Sequence, residues 1–247
     1  YHPILPLIER SSSERASGDV EAAEAIDQWI VPVTSAFIET RSHCQIGQNK
    51  FDVIFVSRRG CLRPGMRFTR RGIDANGNVA NFVETEQILA HSKGQVSSFV
   101  QIRGSIPLFW KSPANLKYTP PVHLEQDEEA NYKALSLHVG QLLEKYGTGP
   151  KSLVFLNLVD RENDQGKLGE AFEEALRNLK REHRGDALRE ECIDHVWFDF
   201  HHECSGEGGW ENVHKLVDLT EEALHAQGFF LTDPKQQRME SQKGIIR

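Results

Sequence analysis

Apolar positions change rhythm midway along the 247 residues. In the first half they come in short runs rich in Val, Ile and Phe: WIVPVTSAFIETR (29–41), FDVIFVS (51–57), and stretches near 66–71, 78–89, 96–103 and 105–110. Runs of that length, bounded by turn-forming residues, predict strands. QIGQN between the first two predicts a hairpin, and Pro32 suits an edge position or a bulge. DANG (Asp74–Gly77) predicts a tight turn. An irregular connection over 115–128 carries Pro120 and Pro121, and beyond it the rhythm becomes helical. Leu135, Val139, Leu142, Leu143 and Tyr146 recur at helical spacing, with Gly147 placed to end that helix. Ser152–Val159 (SLVFLNLV) is continuously apolar, as a strand covered on both faces should be. Leu168, Ala171, Phe172, Ala175, Leu176 and Leu179 form the stripe of a second helix. A strand over His195–His201 comes next, then a helix over about 209–226 with Trp210, Val213, Val217 and Leu224 inward. The final strand begins near Lys243. Residues 10–26 are polar and predict a surface loop with at most a turn of helix. The order of elements predicts one α/β domain over 1–247, a mixed, partly parallel sheet flanked by helices.

Composition narrows the functional classes. Hydrophobic residues make up 38% and charged residues 26%, which reads as soluble and globular. No apolar run approaches the roughly twenty residues that span a bilayer, and YHPILPLIER has no basic region leading into a hydrophobic stretch, so it is not read as a secretory signal. Cys44, Cys61, Cys192 and Cys204 are too few for a disulfide scaffold and read as free thiols in a reducing compartment. A net charge of -7 and a pI near 5.9 argue against nucleic acid as a partner. Against that acidic balance, Arg58, Arg59, Arg63, Arg67, Arg70 and Arg71 fall in one acid-free stretch. Permanently charged planar forks displayed by strands suit a phosphorylated ligand.

From the arginine stretch to the last residue, five segments carry a resemblance. RRGIDANGNVANFVETEQIL (70–89), SSFVQIRGSIPLFW (97–110), DFHHE (199–203), WENVHKLVD (210–218) and KGIIR (243–247) resemble, in the same order, the Sac-domain phosphoinositide phosphatases. That family includes synaptojanin's Sac module and the integral membrane enzyme of the endoplasmic reticulum and Golgi, towards which DFHHE and ETEQ lean. The resemblance implies hydrolysis of phosphatidylinositol monophosphates, often at the 4-phosphate, on cytosolic membrane faces of the endoplasmic reticulum and Golgi. It implies no metal or other cofactor. It also implies a phosphocysteine intermediate whose nucleophile belongs to a Cys-x5-Arg loop directly after a segment like KGIIR. On that reading no catalytic residue lies within 1–247, the chain reaches only the threshold of its nucleophile loop, and it is expected to be inactive by itself. The implied partners are the phosphoinositide headgroup and an anionic membrane surface. An alternative of another class is a phosphoinositide-binding module without turnover.

Several residues are candidates for the surrounding shell. Arg103, at a predicted strand end beside Gly104, could hold the headgroup phosphate or form a structural ion pair with Glu84 or Glu86. Arg70 and Arg71, adjacent in a predicted strand, point to opposite faces, so at most one of them faces the ligand directly; some arginines could instead meet the membrane. Glu84 and Glu86, two apart, share a face and could act as paired carboxylates or orient neighbouring arginines. Arg247 closes the last strand. Cys61 to Arg67 has the Cys-x5-Arg spacing, but Pro64 removes a backbone donor and Phe68 stands where that loop has Thr or Ser. His195, Asp199 and His201 alternate onto one strand face, where Asp199 and His201 read as a hydrogen-bonded supporting pair. Zinc there, with Cys192 and Cys204 nearby, fits no common ligand spacing.

Overall fold

The computed structural model describes residues 5–31, 35–66, 69–113, 120–147, 149–182, 191–205, 208–233, 235 and 238–247. The chain divides into two units, residues 1–36 and 37–247. In the first, the segment expected to be a loop is helical: α1 (Leu5–Ser17) and α2 (Val20–Asp27). Neither relies on a broad apolar stripe. Asp19 caps α2 by accepting from the Ala22 N–H at 2.9 Å, and Asp27 accepts from the Ser11 hydroxyl and pairs with Arg15. Ala and Glu, both strong helix formers, fill α2.

In the second unit, β1 (Ala36–Ile46) and β2 (Asn49–Arg59) flank a two-residue turn in which Gly47 takes φ +59°. The expected hairpin thus forms, although its first strand starts at Ala36 and Pro32 lies outside the described residues. β2 pairs antiparallel with β3 (Val83–His91), and β3 with β4 (Val96–Arg103). β4 is where the sheet changes character. Its first half pairs antiparallel with β9 (Phe230–Asp233), which pairs with β10 (Arg238–Glu240); its second half pairs parallel with β11 (Ile245–Ile246). β11 in turn lies parallel to β7 (Leu153–Asn157), and β7 to β8 (Ile193–Trp197). Among the described residues the sheet holds nine strands, its main path running β1-β2-β3-β4-β11-β7-β8. A separate ribbon joins β5 (Trp110–Lys111) to β6 (His123–Leu124). The fold is α/β with a mixed sheet, as the order of elements predicts.

Two long helices supply the core over the parallel half. α3 (Glu128–Tyr146) starts where the Asp127 carboxylate accepts from the Ala130 N–H at 2.9 Å. It ends at Gly147, φ +127°, where a Cβ would stand 2.7 Å from the Lys243 carbonyl oxygen. Its buried Leu135, Val139, Leu142 and Leu143 meet Leu168, Phe172, Leu176 and Leu179 of α4 (Asn163–Glu182), together with Leu153, Phe155, Ile193 and Ile245 from the strands. Phe155 and Phe172 pack edge to face at 5.4 Å. Each such side chain contributes about 1.5–3 kcal/mol on burial.

Three expectations fail here. Residues 69–71 and 105–109 are not strand; of the expected strand 78–89, only Val83 onward is. The reason is that the loop between β2 and β3 finds its backbone partners in the segment after β4. Ile73 N–H donates to the Leu108 carbonyl (3.0 Å), Ser105 N–H to the Ala80 carbonyl (2.9 Å), and Gly72 N–H to the Ser105 hydroxyl (2.8 Å). The expected strand 195–201 ends at Trp197, because Asp199 instead starts α5 (Phe200–Ser205). A 3-10 turn (Gly209–Val213) leads into α6 (His214–Gln227), but Trp210 and Val217 are 75% and 52% exposed, not core. Among the described residues no helix is long and apolar enough to cross a membrane.

Candidate functional site

In an open sheet with parallel strands, the crevice beyond their carboxyl ends is where side chains from several strands can meet a ligand. Here those ends bring together Gly104 and Ser105 after β4, Arg247 after β11, Asp160 and Arg161 after β7, and Asp199 after β8. Of these, Gly104, Ser105 and Asp160 line a cleft of about 790 Å³, with Arg71, Trp110, Gln165 and Lys167 also among its walls.

Arg247 is fixed by its own backbone and by its side chain. Its N–H donates to the Val154 carbonyl at 2.8 Å and its carbonyl accepts from Leu156 at 2.6 Å. The guanidinium donates to the Ser105 carbonyl at 2.9 Å and lies 5.3 Å over the Phe155 ring. Burial pulls its pKa down to about 9, so it remains a cation at neutral pH. A Cβ at Gly104 would stand 3.1 Å from this guanidinium and 2.8 Å from Val79 Cγ2, so only glycine lets the β4 end approach so closely. Arg71 stacks 5.5 Å over Trp110 and lines the cleft. The Arg247 guanidinium and the Gly72 N–H thus both bond to Ser105, one through its carbonyl and the other through its hydroxyl.

The carboxylates that follow β7 and β8 are held in place. Asp160 accepts from His201 Nδ1 at 2.6 Å and from Gln165 Nε2 at 3.0 Å. Asp199, 8% exposed, accepts from the N–H groups of Arg161 (2.8 Å) and His202 (3.0 Å). Burial pushes the Asp199 carboxyl up, but these two bonds and the nearby histidines outweigh it and leave its pKa lowered. Arg161 donates to the Trp197 carbonyl and stacks 4.5 Å over the Trp197 ring, whose Nε1–H donates to the Val159 carbonyl. Gly169 makes room for that indole: a Cβ there would be 2.3 Å from it.

The sequence-derived candidates are thus partly gathered and partly dispersed. Arg71 lines the cleft, and Arg247 is bonded to Ser105 in its wall. Arg103 is exposed, does not line the cleft, and has no side-chain partner among the described residues; the anticipated ion pair to Glu84 or Glu86 is absent there. Arg70 is also exposed and outside the cleft; it is not in a strand, so the alternation argument linking it to Arg71 does not apply. Glu84 and Glu86 form a separate cluster across β2 and β3, both on Arg58 (3.0 and 3.3 Å). Glu84 also accepts from Lys145 (3.0 Å) and the Tyr146 hydroxyl (2.6 Å). Burial raises the Glu84 pKa, and the bonds from Tyr146 and Lys145 with the charge of Arg58 bring it below the ordinary value. These carboxylates hold cations in place. His195, expected to share a face with Asp199 and His201, instead packs 5.4 Å from the Phe172 ring. Among the described residues no set of three or more His, Cys, Asp or Glu is arranged to hold a metal. The four cysteines are unbridged. Cys61 is exposed on a bend, and Arg67 and Phe68 lie outside the described residues. Asp160, Ser105 and Gln165 are cleft residues that sequence reasoning missed. The polar run VDRENDQG directly after a buried parallel strand was the available signal for Asp160 and Gln165.

The fold and site define an α/β protein with Arg247 at the carboxyl end of a parallel strand and Arg71 in the wall of the neighbouring cleft, cations suited to an anionic group. The SacI homology domain model matches residues 7–205, and the chain belongs to that family. It is 37% identical over 222 residues to phosphoinositide phosphatase SAC6 of Arabidopsis thaliana, covering 90% of this chain and 35% of that protein. It is 35% identical over 226 residues to phosphatidylinositol-3-phosphatase SAC1-B of Danio rerio (92% and 36%). It is 34% identical over 211 residues to phosphatidylinositol-3-phosphatase SAC1 of Saccharomyces cerevisiae (83% and 31%). The chain thus spans about a third of the length of these relatives.

Proposed function

We propose that this chain is the greater part of a single catalytic domain of a phosphoinositide phosphatase, supplying its phosphate-binding shell. The observation that carries the reading is Arg247, half-buried at the end of β11 and bonded to Ser105, a residue that lines the same cleft as Arg71. By the family likeness the nucleophile loop follows a segment like KGIIR (243–247), beside the Arg247 guanidinium. A cysteine there attacks phosphorus as the thiolate, the phosphorus–inositol oxygen bond breaks, and an aspartic acid of the same loop protonates the departing oxygen. Water then hydrolyses the phosphocysteine and releases inorganic phosphate. Arg71 and Arg247 hold the equatorial phosphate oxygens. Asp199 and His201 brace the strand ends, and Glu84 and Glu86 orient Arg58.

Exposed Arg103 and Arg70 reach the headgroup or the anionic membrane, where each cation adds about 1 kcal/mol of attraction. The substrate is a phosphatidylinositol monophosphate on cytosolic faces of the endoplasmic reticulum and Golgi, in membrane trafficking. The family likeness read from the motifs favours the 4-phosphate, whereas two relatives carry the 3-phosphate in their names. The test is phosphate release by the full-length polypeptide from short-chain phosphatidylinositol 4-phosphate and 3-phosphate. Release from either, and less of it with Arg103→Gln, is the expected result. No release from both overturns the enzyme reading in favour of binding without turnover, and full activity of Arg103→Gln removes that arginine from the site.

A further inference from the structure

His138 on α3 is a buried titratable group that the proposed mechanism does not use. It is 3% exposed, and its Nδ1 lies 2.8 Å from the Gly77 carbonyl oxygen. A carbonyl only accepts, so Nδ1 carries the proton and Nε2 is left as a bare lone pair. That Nε2 is buried and meets no donor among the described residues. Arg247 shows the complementary shortage: its Nε–H is buried and meets no acceptor among them. Buried polar groups are almost always paired, so two orphans of opposite kind in one neighbourhood need an explanation.

Val79 connects the two. It lines a cavity of about 380 Å³ together with His138 and Gly77. On its other side, one methyl-sized position at Gly104 would touch both Val79 (2.8 Å) and the Arg247 guanidinium (3.1 Å). Burial, reinforced by the charge of Arg247, holds the His138 pKa well below its ordinary value, so the imidazole stays neutral beside the arginine. Gly77 is equally constrained, since its φ is +81° and a Cβ would stand 2.9 Å from the His138 backbone nitrogen. The Asp74–Gly77 turn is thereby pinned to α3 at this histidine.

We propose that His138 is a positioning residue for Arg247. With its tautomer fixed by Gly77, it offers Nε2 as the acceptor that, through one water in the cavity it lines, holds the guanidinium in the orientation a bound phosphate needs. This rests on the reading of Arg247 as part of the phosphate site.

Two substitutions in the full-length polypeptide separate positioning from packing. Asn at 138 keeps a donor for the Gly77 carbonyl but has no acceptor where Nε2 stood, whereas Gln reaches that place with its amide oxygen. His138→Asn is expected to keep the melting temperature while kcat falls roughly ten- to a hundredfold, since a displacement of about 1 Å at a reacting group costs on that scale. His138→Gln recovers most of the loss. Wild-type kcat in His138→Asn, or activity that merely tracks melting temperature in both variants, overturns the proposal. A second readout does not depend on turnover: exchange of the Arg247 Nε–H proton, monitored by nuclear magnetic resonance with labelled arginine. It should be slow in wild type and His138→Gln and fast in His138→Asn. Equal exchange in all three overturns the positioning role even if the protein proves to have no phosphatase activity.

Discussion

Replacing Gly104 by alanine tests the packing that fixes Arg247. The new methyl would stand 2.8 Å from Val79 Cγ2, closer than such contacts allow, and a tight 3.1 Å from the guanidinium. Val79 is 2% exposed and has little room to yield. Overpacking of this kind costs about 1–3 kcal/mol. If the guanidinium moves instead, its 2.9 Å bond to the Ser105 carbonyl weakens, a charge-assisted bond worth about 1.5–3 kcal/mol. A loss of roughly 1–3 kcal/mol is therefore expected by urea denaturation of the full-length polypeptide. The companion change Val79→Ala removes two methyl-sized groups and alone costs about 2 kcal/mol. In the double variant the added methyl occupies part of the space vacated, so the combined loss should fall short of the sum by at least about 1 kcal/mol. A neutral Gly104→Ala, or strict additivity with Val79→Ala, would refute the contact and with it the account of how the end of β4 sets the arginine.

Two further outcomes concern hydrogen-bonded carboxylates. Asp199→Ala removes the acceptor for the Arg161 and His202 backbone donors, at about 2–4 kcal/mol; amide exchange at those two positions should accelerate, and unchanged exchange speaks against the cap. Burial and the bond to Glu84 raise the Tyr146 pKa from 10.0 to about 12. A raised folded-state value means that its contribution is complete below pH 10.0 and is lost as pH climbs through about 12. Tyr146→Phe should flatten that alkaline limb of the stability curve, and an unchanged limb assigns it to other groups.

The buried parallel half is readable in the sequence, and the site only in part. SLVFLNLV reads as an interior strand because a strand covered on both faces has no polar side to interrupt the run. α3 and α4 repeat leucine at helical spacing, with Asp127 and Gly147 marking the ends of α3. α1 and α2 escape a reading by periodicity because local capping and ion pairing hold them, and neither leaves an apolar stripe. The arginine-rich loop reads as strand because its residue types suit one; only the fold reveals that Ser105 and Leu108 supply its backbone partners. The same long-range contact sets Arg71 apart from Arg70 and Arg103, which no local pattern distinguishes. DFHHE reads as strand by alternation, although an aspartate opening a helix is the competing signal. His138 carries none: a histidine within a helical stripe looks the same whether it packs or positions.

The insertion of β11 between β4 and β7 has a consequence for synthesis. Both flanking strands leave the ribosome long before Ile245 does, so their backbone donors and acceptors along that seam wait unmatched while α4, β8 and α6 are being made. Open strand edges of this kind invite pairing with another chain. Nascent polypeptide halted before Ile245 should therefore depend on chaperones more heavily than polypeptide released after it, because one late dipeptide closes the middle of the sheet.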